Sequence, residues 1–334
     1  MTRLDTDDAV ATALRQAQEP SSADDGPRAL LLESREVPLG GVRAMEVRRS
    51  LPQRDLPLVG AWCFLDRFGP QVTRMRVEPH PHIGLQTVTW PFVGEVRHRD
   101  TIASDVVVRR GALNLMTSGA GIAHSEYSVG EDAVPLDALQ LWVALPESRR
   151  NGPPAFERHE DLPVVALAPA TGPAGEATVV LGEFAGVRSP ATVYTPIVGA
   201  ELRIPAGSRV RVPLNPAWEY ALVGVAGEST VATDAASSVP LDAQHLLYLG
   251  VHRDDVEVTT ESDATLFLLG GEPFEDDIVM WWNFVGRSHE EIVEAREAWE
   301  AASARFGHVV GHGDVRIPAP PLPAVRLTRR RRRV

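Results

Sequence analysis

The apolar residues of this chain fall into short runs separated by turn-forming residues, from about Ala29 onward. Four of these runs lie at 86–90, 106–108, 113–116 and 140–143. Closely spaced runs of this length, bounded by glycine and proline, are typical of the strands of a β-sandwich or barrel. The pattern therefore predicts an all-β fold.

A segment rich in proline and glycine, 168–176, interrupts this pattern near the middle of the chain. Strand-like runs resume after it and continue to about residue 269. A single hydrophobic core rarely grows beyond about 250–300 residues. The 334-residue chain is therefore expected to form two β-domains joined at this segment.

One helix is predicted near the end of the chain, where apolar residues recur at helical spacing between Ile292 and Ala302. Ser288, followed by Glu291, is typical of a capping box at its N-terminus. The prolines after Gly307 predict an extended strap or a loose tail. The predicted parts are a poorly ordered leader, an N-terminal metal-binding domain, a C-terminal domain with the helix, and a tail rich in proline and arginine; their bounds are 1–27, 28–168, 177–306 and 307–334.

Composition and charge narrow the classes of protein that need to be considered. Apolar residues make up 44% of the chain, enough for a sizeable core. The net charge of −12 argues against a nucleic-acid-binding surface over the body of the protein. The arginine run Arg329–Arg333 is the one segment that could contact nucleic acid or an acidic partner, although a solvated end is the simpler interpretation.

No apolar run approaches the roughly 20 residues that a membrane-spanning helix needs. The first ten residues are acidic and carry no apolar signal-peptide core, so a cytoplasmic location is expected. The single cysteine, Cys63, excludes an intramolecular disulfide and a cysteine-rich zinc site. Its neighbours Trp62 and Phe64 indicate a core position.

Two short motifs carry the candidate chemistry. His80 and His82 are two residues apart, and so are His124 and Glu126. Residues at this spacing on a strand project from the same face. If the two segments form neighbouring strands, three imidazoles and one carboxylate converge on one point. Pro81 between the first two histidines places that strand at a sheet edge or bulge.

This set of nitrogen and oxygen ligands suits one divalent transition metal: iron, copper, nickel, manganese or zinc. An isolated pair of histidines often has no function, and the second pair with the same spacing is what favours a metal site. Gly119 and Gly121 allow a tight backbone path just before His124. His98 is interpreted as an exposed residue of a polar turn, and the second half of the chain is expected to hold no metal.

Several motifs resemble those of the pirin family. The segments 48–54 and 58–66 are similar to the family's opening, and 80–89 to its first metal motif. The segment 116–126 resembles the second metal motif, and 139–146 and 271–273 resemble later signatures. The resemblance implies a bicupin, that is, two cupin-type β-barrels followed here by the C-terminal helix, with the metal in the N-terminal barrel.

The resemblance also implies iron(II) as the usual metal, held by His80, His82, His124 and Glu126. It implies one of two activities: cleavage of a flavonol such as quercetin with O₂, as in a quercetin 2,3-dioxygenase, or redox-sensitive binding of a transcription factor or metabolic enzyme. In the enzymatic interpretation Glu126 takes the substrate's hydroxyl proton. Ile83 and Gln86 depart from the basic and acidic residues that many pirins carry, and both are expected near the metal motif.

Overall fold

The computed structural model describes residues 26–39, 45–234 and 237–329. The predicted leader lies outside the described residues apart from Gly26 and Pro27, as does Arg329–Arg333 apart from Arg329. The described ranges contain strands and one helix, α1, at His289–Glu300. In chain order the strands are β1 Pro27–Glu33, β2 Arg35–Leu39, β3 Met45–Leu51, β4 Trp62–Thr73, β5 Arg76–His82, β6 Leu85–Val93, β7 Glu95–Asp100, β8 Asp105–Arg109, β9 Leu113–Thr117, β10 Ile122–Ser128, β11 Val134–Ala144, β12 Ala155–His159, β13 Val164–Leu167, β14 Pro169–Thr171, β15 Gly175–Phe184, β16 Val187–Arg188, β17 Ile197–Ile204, β18 Arg209–Pro213, β19 Glu219–Ala226, β20 Ser229–Ala232, β21 Ser238–Leu241, β22 His245–Gly250, β23 Asp255–Thr259, β24 Ala264–Gly271, β25 Val279–Trp281 and β26 Phe284–Gly286.

The strands build two barrels, each made of two facing sheets. In the first barrel a sheet of order β12-β9-β6-β11-β4-β3-β2 faces a four-stranded sheet of order β5-β10-β7-β8. In the second, a sheet of order β1-β22-β19-β24-β17-β15-β13 faces one of order β14-β18-β23-β20-β21. The prediction of an all-β protein with two β-domains and a C-terminal helix is confirmed.

Chain segments on both sides of the first barrel add strands to the second barrel. β1 pairs with β22, β13 pairs with β15, and β14 pairs with β18. The sequence-based bounds of 28–168 and 177–306 do not anticipate this arrangement, in which β1, apart from Pro27, and β13 lie within the first range but pair with strands of the second barrel. It ties the two barrels together through backbone hydrogen bonds at both ends of the first one.

A shared apolar core joins the two barrels. Val88, Leu115 and Leu141 of the first barrel's large sheet are buried in this core together with residues of β19, β22 and β24. Trp90 adds a polar link, because its indole Nε1 donates to the Glu201 carboxylate at 2.7 Å. Cys63 is fully buried, as its apolar neighbours predict.

The interiors of the two barrels differ in chemistry. The second barrel is filled by aliphatic side chains, among them Val179, Leu202, Leu222 and Val258. Groupings of three potential metal ligands occur, among the described residues, only in the first barrel. Packed hydrocarbon leaves neither donors nor room for an ion, which accounts for the difference.

The C-terminal segment folds back over the first barrel. The hairpin β25–β26 and helix α1 pack Phe284, Ile292 and Trp299 into a cluster that also contains Phe306 of the following strap. Ser288 is the N-cap of α1, with its side chain accepting from the Glu291 backbone N–H at 3.2 Å, so the predicted helix start is confirmed. In the described part of the chain, no helix is long and apolar enough to cross a membrane.

Candidate metal centre

The two sequence motifs lie on paired strands, as predicted. His124 of β10 is the cross-strand partner of His80 of β5, and Ile122 is the partner of His82. A register shift between His124 and Glu126 adds a bulge at this point. β5 is an edge strand, which accommodates Pro81 without the loss of a ladder hydrogen bond.

The three histidine rings form a buried cluster inside the first barrel. His124 is fully buried, and His80 and His82 are 7% and 1% exposed. The Nε2 atoms of His82 and His124 lie 3.0 Å apart. The potential ligand atoms of His80, His82 and His124 all lie within 4.8 Å of one another, a spacing that one ion could bridge.

Hydrogen bonds at the far side of each ring fix its orientation. The Nδ1 of His80 lies 2.9 Å from the Glu78 carbonyl oxygen, and the Nδ1 of His82 lies 3.1 Å from the Asn283 carbonyl oxygen. A carbonyl only accepts, so each Nδ1 carries the proton and each Nε2 has a free lone pair. This arrangement is the one that metal-binding histidines adopt.

His124 is fixed by a second histidine instead of a carbonyl. Its Nδ1 lies 3.2 Å from the Nδ1 of His98, and the Nε2 of His98 lies 3.1 Å from the Asp100 carboxylate. In the tautomer that donates from Nε2 to this carboxylate, His98 accepts at Nδ1. His124 then donates from Nδ1 and presents its bare Nε2 to His82.

Burial sets the protonation of the three clustered histidine rings. Desolvation lowers the pKa of His80 to about 4. Desolvation, together with the neighbouring histidines, lowers the pKa of His124 well below its usual value, and the same causes act on His82. The rings are neutral near pH 7, which is the form that binds a metal.

Glu126 lies on the same strand but belongs to a second grouping, with His98 and His124. Its carboxylate lies 3.3 Å from the hydroxyl of Thr89, which is closer to the Gln140 side-chain oxygen at 2.8 Å. Burial raises the pKa of Glu126. His124 is the residue common to both groupings, and the complete four-ligand set stays a prediction.

His98 is the site residue that the sequence analysis placed wrongly. It is 2% exposed and faces the barrel interior from β7, where its ring stacks on Phe156 at a centroid distance of 4.6 Å. The signal was present in the alternation of buried Val96, His98 and Asp100 with charged residues between them. A period of two indicates a strand rather than a turn.

Gln86, which stands where many pirins carry an acidic residue, makes structural hydrogen bonds. The side chain of Gln86 donates from Nε2 to the hydroxyl of Thr117 at 3.0 Å and to the backbone carbonyl of Thr192 at 3.1 Å. Thr192 belongs to the second half of the chain, so Gln86 links the two halves. An amide is required here because a carboxylate has no proton to donate.

Ile83 also has a structural explanation. It is 4% exposed and lies in the cluster with Phe284 and α1, and it forms an isolated bridge with Phe284. A basic residue would be buried without a partner in this cluster. The C-terminal hairpin therefore accounts for the apolar residue beside the metal motif, and its Asn283 supplies the carbonyl that orients His82.

The strap after α1 covers the outer side of β10. His312 lies 2.9 Å from the Ser125 hydroxyl and 3.2 Å from the Tyr127 hydroxyl. The backbone N–H of Ile317 donates to the carbonyl of Pro79 at 2.8 Å. Gly121 is needed beneath this cover, because a Cβ there would lie 2.9 Å from the Arg305 carbonyl oxygen.

The donor set fits a divalent transition metal. The structure provides three neutral imidazoles with free Nε2 lone pairs, fixed Nδ1 protons and a buried carboxylate nearby. Imidazole with a carboxylate suits iron, nickel, copper, manganese and zinc. The fold and this cluster define a two-barrel protein of the cupin class with a histidine-rich candidate metal site in its first barrel.

Comparison with known proteins identifies the family. The Pirin sequence family matches residues 43–143, and the Pirin C-terminal cupin domain matches residues 199–307. A Pseudomonas aeruginosa protein provisionally named quercetin 2,3-dioxygenase is 40% identical over 294 residues, covering 87% of this chain and 89% of that protein. The chain belongs to the pirin family.

Solved structures agree with this assignment. A quercetin 2,3-dioxygenase from Acinetobacter baumannii superposes with a TM-score of 0.82 at 37% identity, covering 90% of this chain and 97% of that one. A bacterial pirin from Escherichia coli, solved in complex with nickel(II), has a TM-score of 0.56 at 16% identity and covers 74% of this chain and 100% of its own. The second likeness shows a shared fold.

Proposed function

We propose that this protein is a metal-dependent dioxygenase that cleaves a chelating enol, such as the flavonol quercetin, with O₂. The observation that carries the proposal is the convergence of three bare Nε2 atoms beside a buried carboxylate. Three histidines and one carboxylate leave open positions on an octahedral ion, whereas structural metal sites are closed. The names of the Pseudomonas and Acinetobacter relatives support this substrate class.

We propose iron(II) as the ion, with copper, nickel, manganese and zinc as alternatives. His80, His82 and His124 would hold it through Nε2, with Glu126 as the fourth ligand. The bound ion would supply polarisation of the substrate's two chelating oxygens and the redox chemistry of O₂. The three ring orientations are already set by Glu78, Asn283 and His98, so little reorganisation is needed on loading.

Glu126 is the proposed general base. Because burial raises its pKa, the carboxylate binds a proton more readily than an exposed glutamate does. It would take the proton of the substrate hydroxyl, and Thr89 could then donate its hydrogen bond to Gln140 alone. The deprotonated substrate is the electron-rich species that reacts with O₂. A base in this role typically contributes about 10²–10⁴ in rate.

The test compares Glu126→Gln with wild type at equal iron content. Oxygen consumption is measured with quercetin and with simpler chelating enols. We expect turnover in wild type and a loss of about 10²–10⁴-fold in the variant. Glu131→Gln is the matched control, because the Glu131 side chain is 88% exposed. Equal turnover in wild type and Glu126→Gln would remove Glu126 as the base.

A second candidate function is favoured by the burial of the centre. The four candidate ligand side chains are at most 7% exposed, and Asn283 of the C-terminal hairpin contacts one of them, His82, through its backbone carbonyl. A closed centre suits a regulatory protein that reports the oxidation state of its metal to a transcription factor or a metabolic enzyme. Wild type that consumes no oxygen with any enol, yet cycles reversibly between iron(II) and iron(III), would support this function and refute the dioxygenase.

A further inference from the structure

The large sheet of the first barrel turns a row of polar side chains toward the metal centre. Leu113 and Leu115 of β9 are buried in the core shared with the second barrel. Because successive residues of a strand face opposite sides, Asn114 between them faces the interior of the first barrel. The row on this face comprises Thr87, Thr89, Asn114, Gln140 and Trp142, all nine-tenths or more buried.

Two members of this row have polar atoms without a partner among the described residues. Neither the Oδ1 nor the Nδ2 of Asn114 makes a hydrogen bond, although the residue is only 2% exposed. The indole Nε1 of Trp142 is buried and also unpartnered. A buried amide without partners destabilises the fold, so its presence requires an explanation.

These unpartnered groups border the candidate metal centre. Thr89 is the cross-strand partner of Asn114 on one side and of Gln140 on the other, and its hydroxyl reaches the Glu126 carboxylate. Cross-strand partners hold their Cβ atoms about 5 Å apart. At the other end of the row, the ring of Trp142 lies 5.2 Å from that of His82. A molecule bound at the centre would meet both groups.

We propose that Asn114 and Trp142 are substrate-recognition residues, and that the substrate carries a hydroxyl group in addition to its chelating pair of oxygens. The Asn114 amide offers two N–H donors and a carbonyl acceptor, and a hydroxyl group can accept from one N–H and donate to the carbonyl. Trp142 donates only, so it pairs with a second oxygen of the substrate. This inference rests on the proposed function, since it assumes that the substrate binds beside the metal ligands.

The binding test uses probes with the same chelating group and different hydroxyl content. Kojic acid is compared with allomaltol, which lacks one hydroxyl, and quercetin is compared with 3-hydroxyflavone. Titration calorimetry on the iron-loaded protein under argon measures binding without turnover. We expect at least one hydroxylated probe to bind about fivefold or more tightly than its partner, the effect of one net hydrogen bond. We expect Asn114→Leu, which is close in shape, to abolish this preference.

Stability separates a recognition role from a structural one. If the Asn114 amide has no hydrogen-bond partner until a substrate binds, Asn114→Leu replaces an unpartnered polar group with hydrocarbon. The melting temperature of the substrate-free protein then stays the same or rises. Trp142→Phe should likewise keep the stack on Phe64 and weaken probe binding. The control is Ser208→Ala in the second barrel, another fully buried residue whose hydroxyl is unpartnered, which should leave the probe preference unchanged.

Three results would overturn the inference. The first is the absence of probe binding to metal-loaded wild type, and the second is an unchanged probe preference in Asn114→Leu. The third is a lower melting temperature of that variant, which would show that ordered water satisfies the Asn114 amide. If Asn114→Leu does not fold, Asn114→Ala replaces it in the same titrations. Probe preference without oxygen consumption would refute the dioxygenase while leaving the recognition site intact.

Discussion

The substitution Asp100→Asn tests whether His98 controls the tautomer of His124. The Asp100 carboxylate accepts from His98 Nε2 at 3.1 Å and from the backbone N–H groups of Ile102 and Ser104 at 3.0 and 2.9 Å. Asparagine keeps one oxygen for the two backbone donors. Its amide nitrogen would then face the Nε2–H of His98.

Two donors facing each other drive His98 to its other tautomer, with the proton on Nδ1. His124 would then have to accept at Nδ1 and carry its own proton on Nε2, where the metal should bind. Restoring the competent tautomer in the variant breaks the hydrogen bond from the introduced amide to His98 and leaves a buried donor without an acceptor, which costs about 1–3 kcal/mol. Since about 1.4 kcal/mol is tenfold in affinity, metal binding should weaken by about 5–100-fold.

The assay is metal affinity by competition with a chelator of known strength, alongside nitrogen-15 spectra of the imidazoles in the apo-protein. Asp105→Asn is the matched control, because Asp105 lies on the neighbouring strand and pairs with Arg97 at the surface. A surface ion pair contributes at most about 1 kcal/mol to stability. Unchanged affinity in Asp100→Asn would refute the role of His98, as would the wild-type His124 tautomer in that variant.

Four further predictions concern the metal content, the Gln86 link and the C-terminal segment. Elemental analysis should find about one metal per chain in wild type. It should find none after His80 and His82 are both replaced with alanine, while circular dichroism shows that this variant is folded. Two metals per chain in wild type would contradict the prediction. Gln86→Glu should lower the stability to urea by about 1–3 kcal/mol, since it removes a buried donor to Thr192, and unchanged or higher stability would argue against the link. Deletion from Arg326 should leave the metal content nearly unchanged and lower the melting temperature only slightly, because it removes an exposed ion pair with Glu290 and the partly buried Leu327 at the edge of the α1 cluster. Deletion from Gly307 should lower both by removing Val309, His312 and Ala319, and equal behaviour of the two truncations would refute a docked strap.

The sequence determined most of the fold class and the core of the candidate site. The period of two within His80-Pro81-His82 and His124-Ser125-Glu126 is a local property of strands, so shared faces follow from spacing alone. Two further features could be predicted from single residues. The N-terminus of α1 depends on the side chain of Ser288, and the edge position of β5 depends on the missing backbone N–H of Pro81. The same motifs resemble those of the pirin family, and that resemblance predicted the two barrels.

The tertiary structure alone decided which groups surround those motifs. The sequence carries no sign that Asn283, some 200 residues away, fixes the His82 ring, or that Gln86 donates across to Thr192. Such contacts depend on how sheets and hairpins fold over one another, and no periodicity encodes them. His98 is the intermediate case: the alternation of buried and charged residues around it indicates a strand, but its charged neighbours suggested a turn. The structure pairs His98 with Glu126 across the strands and brings its ring against that of His124. Local spacing fixes the face on which a side chain lies, whereas only packing fixes what that face meets.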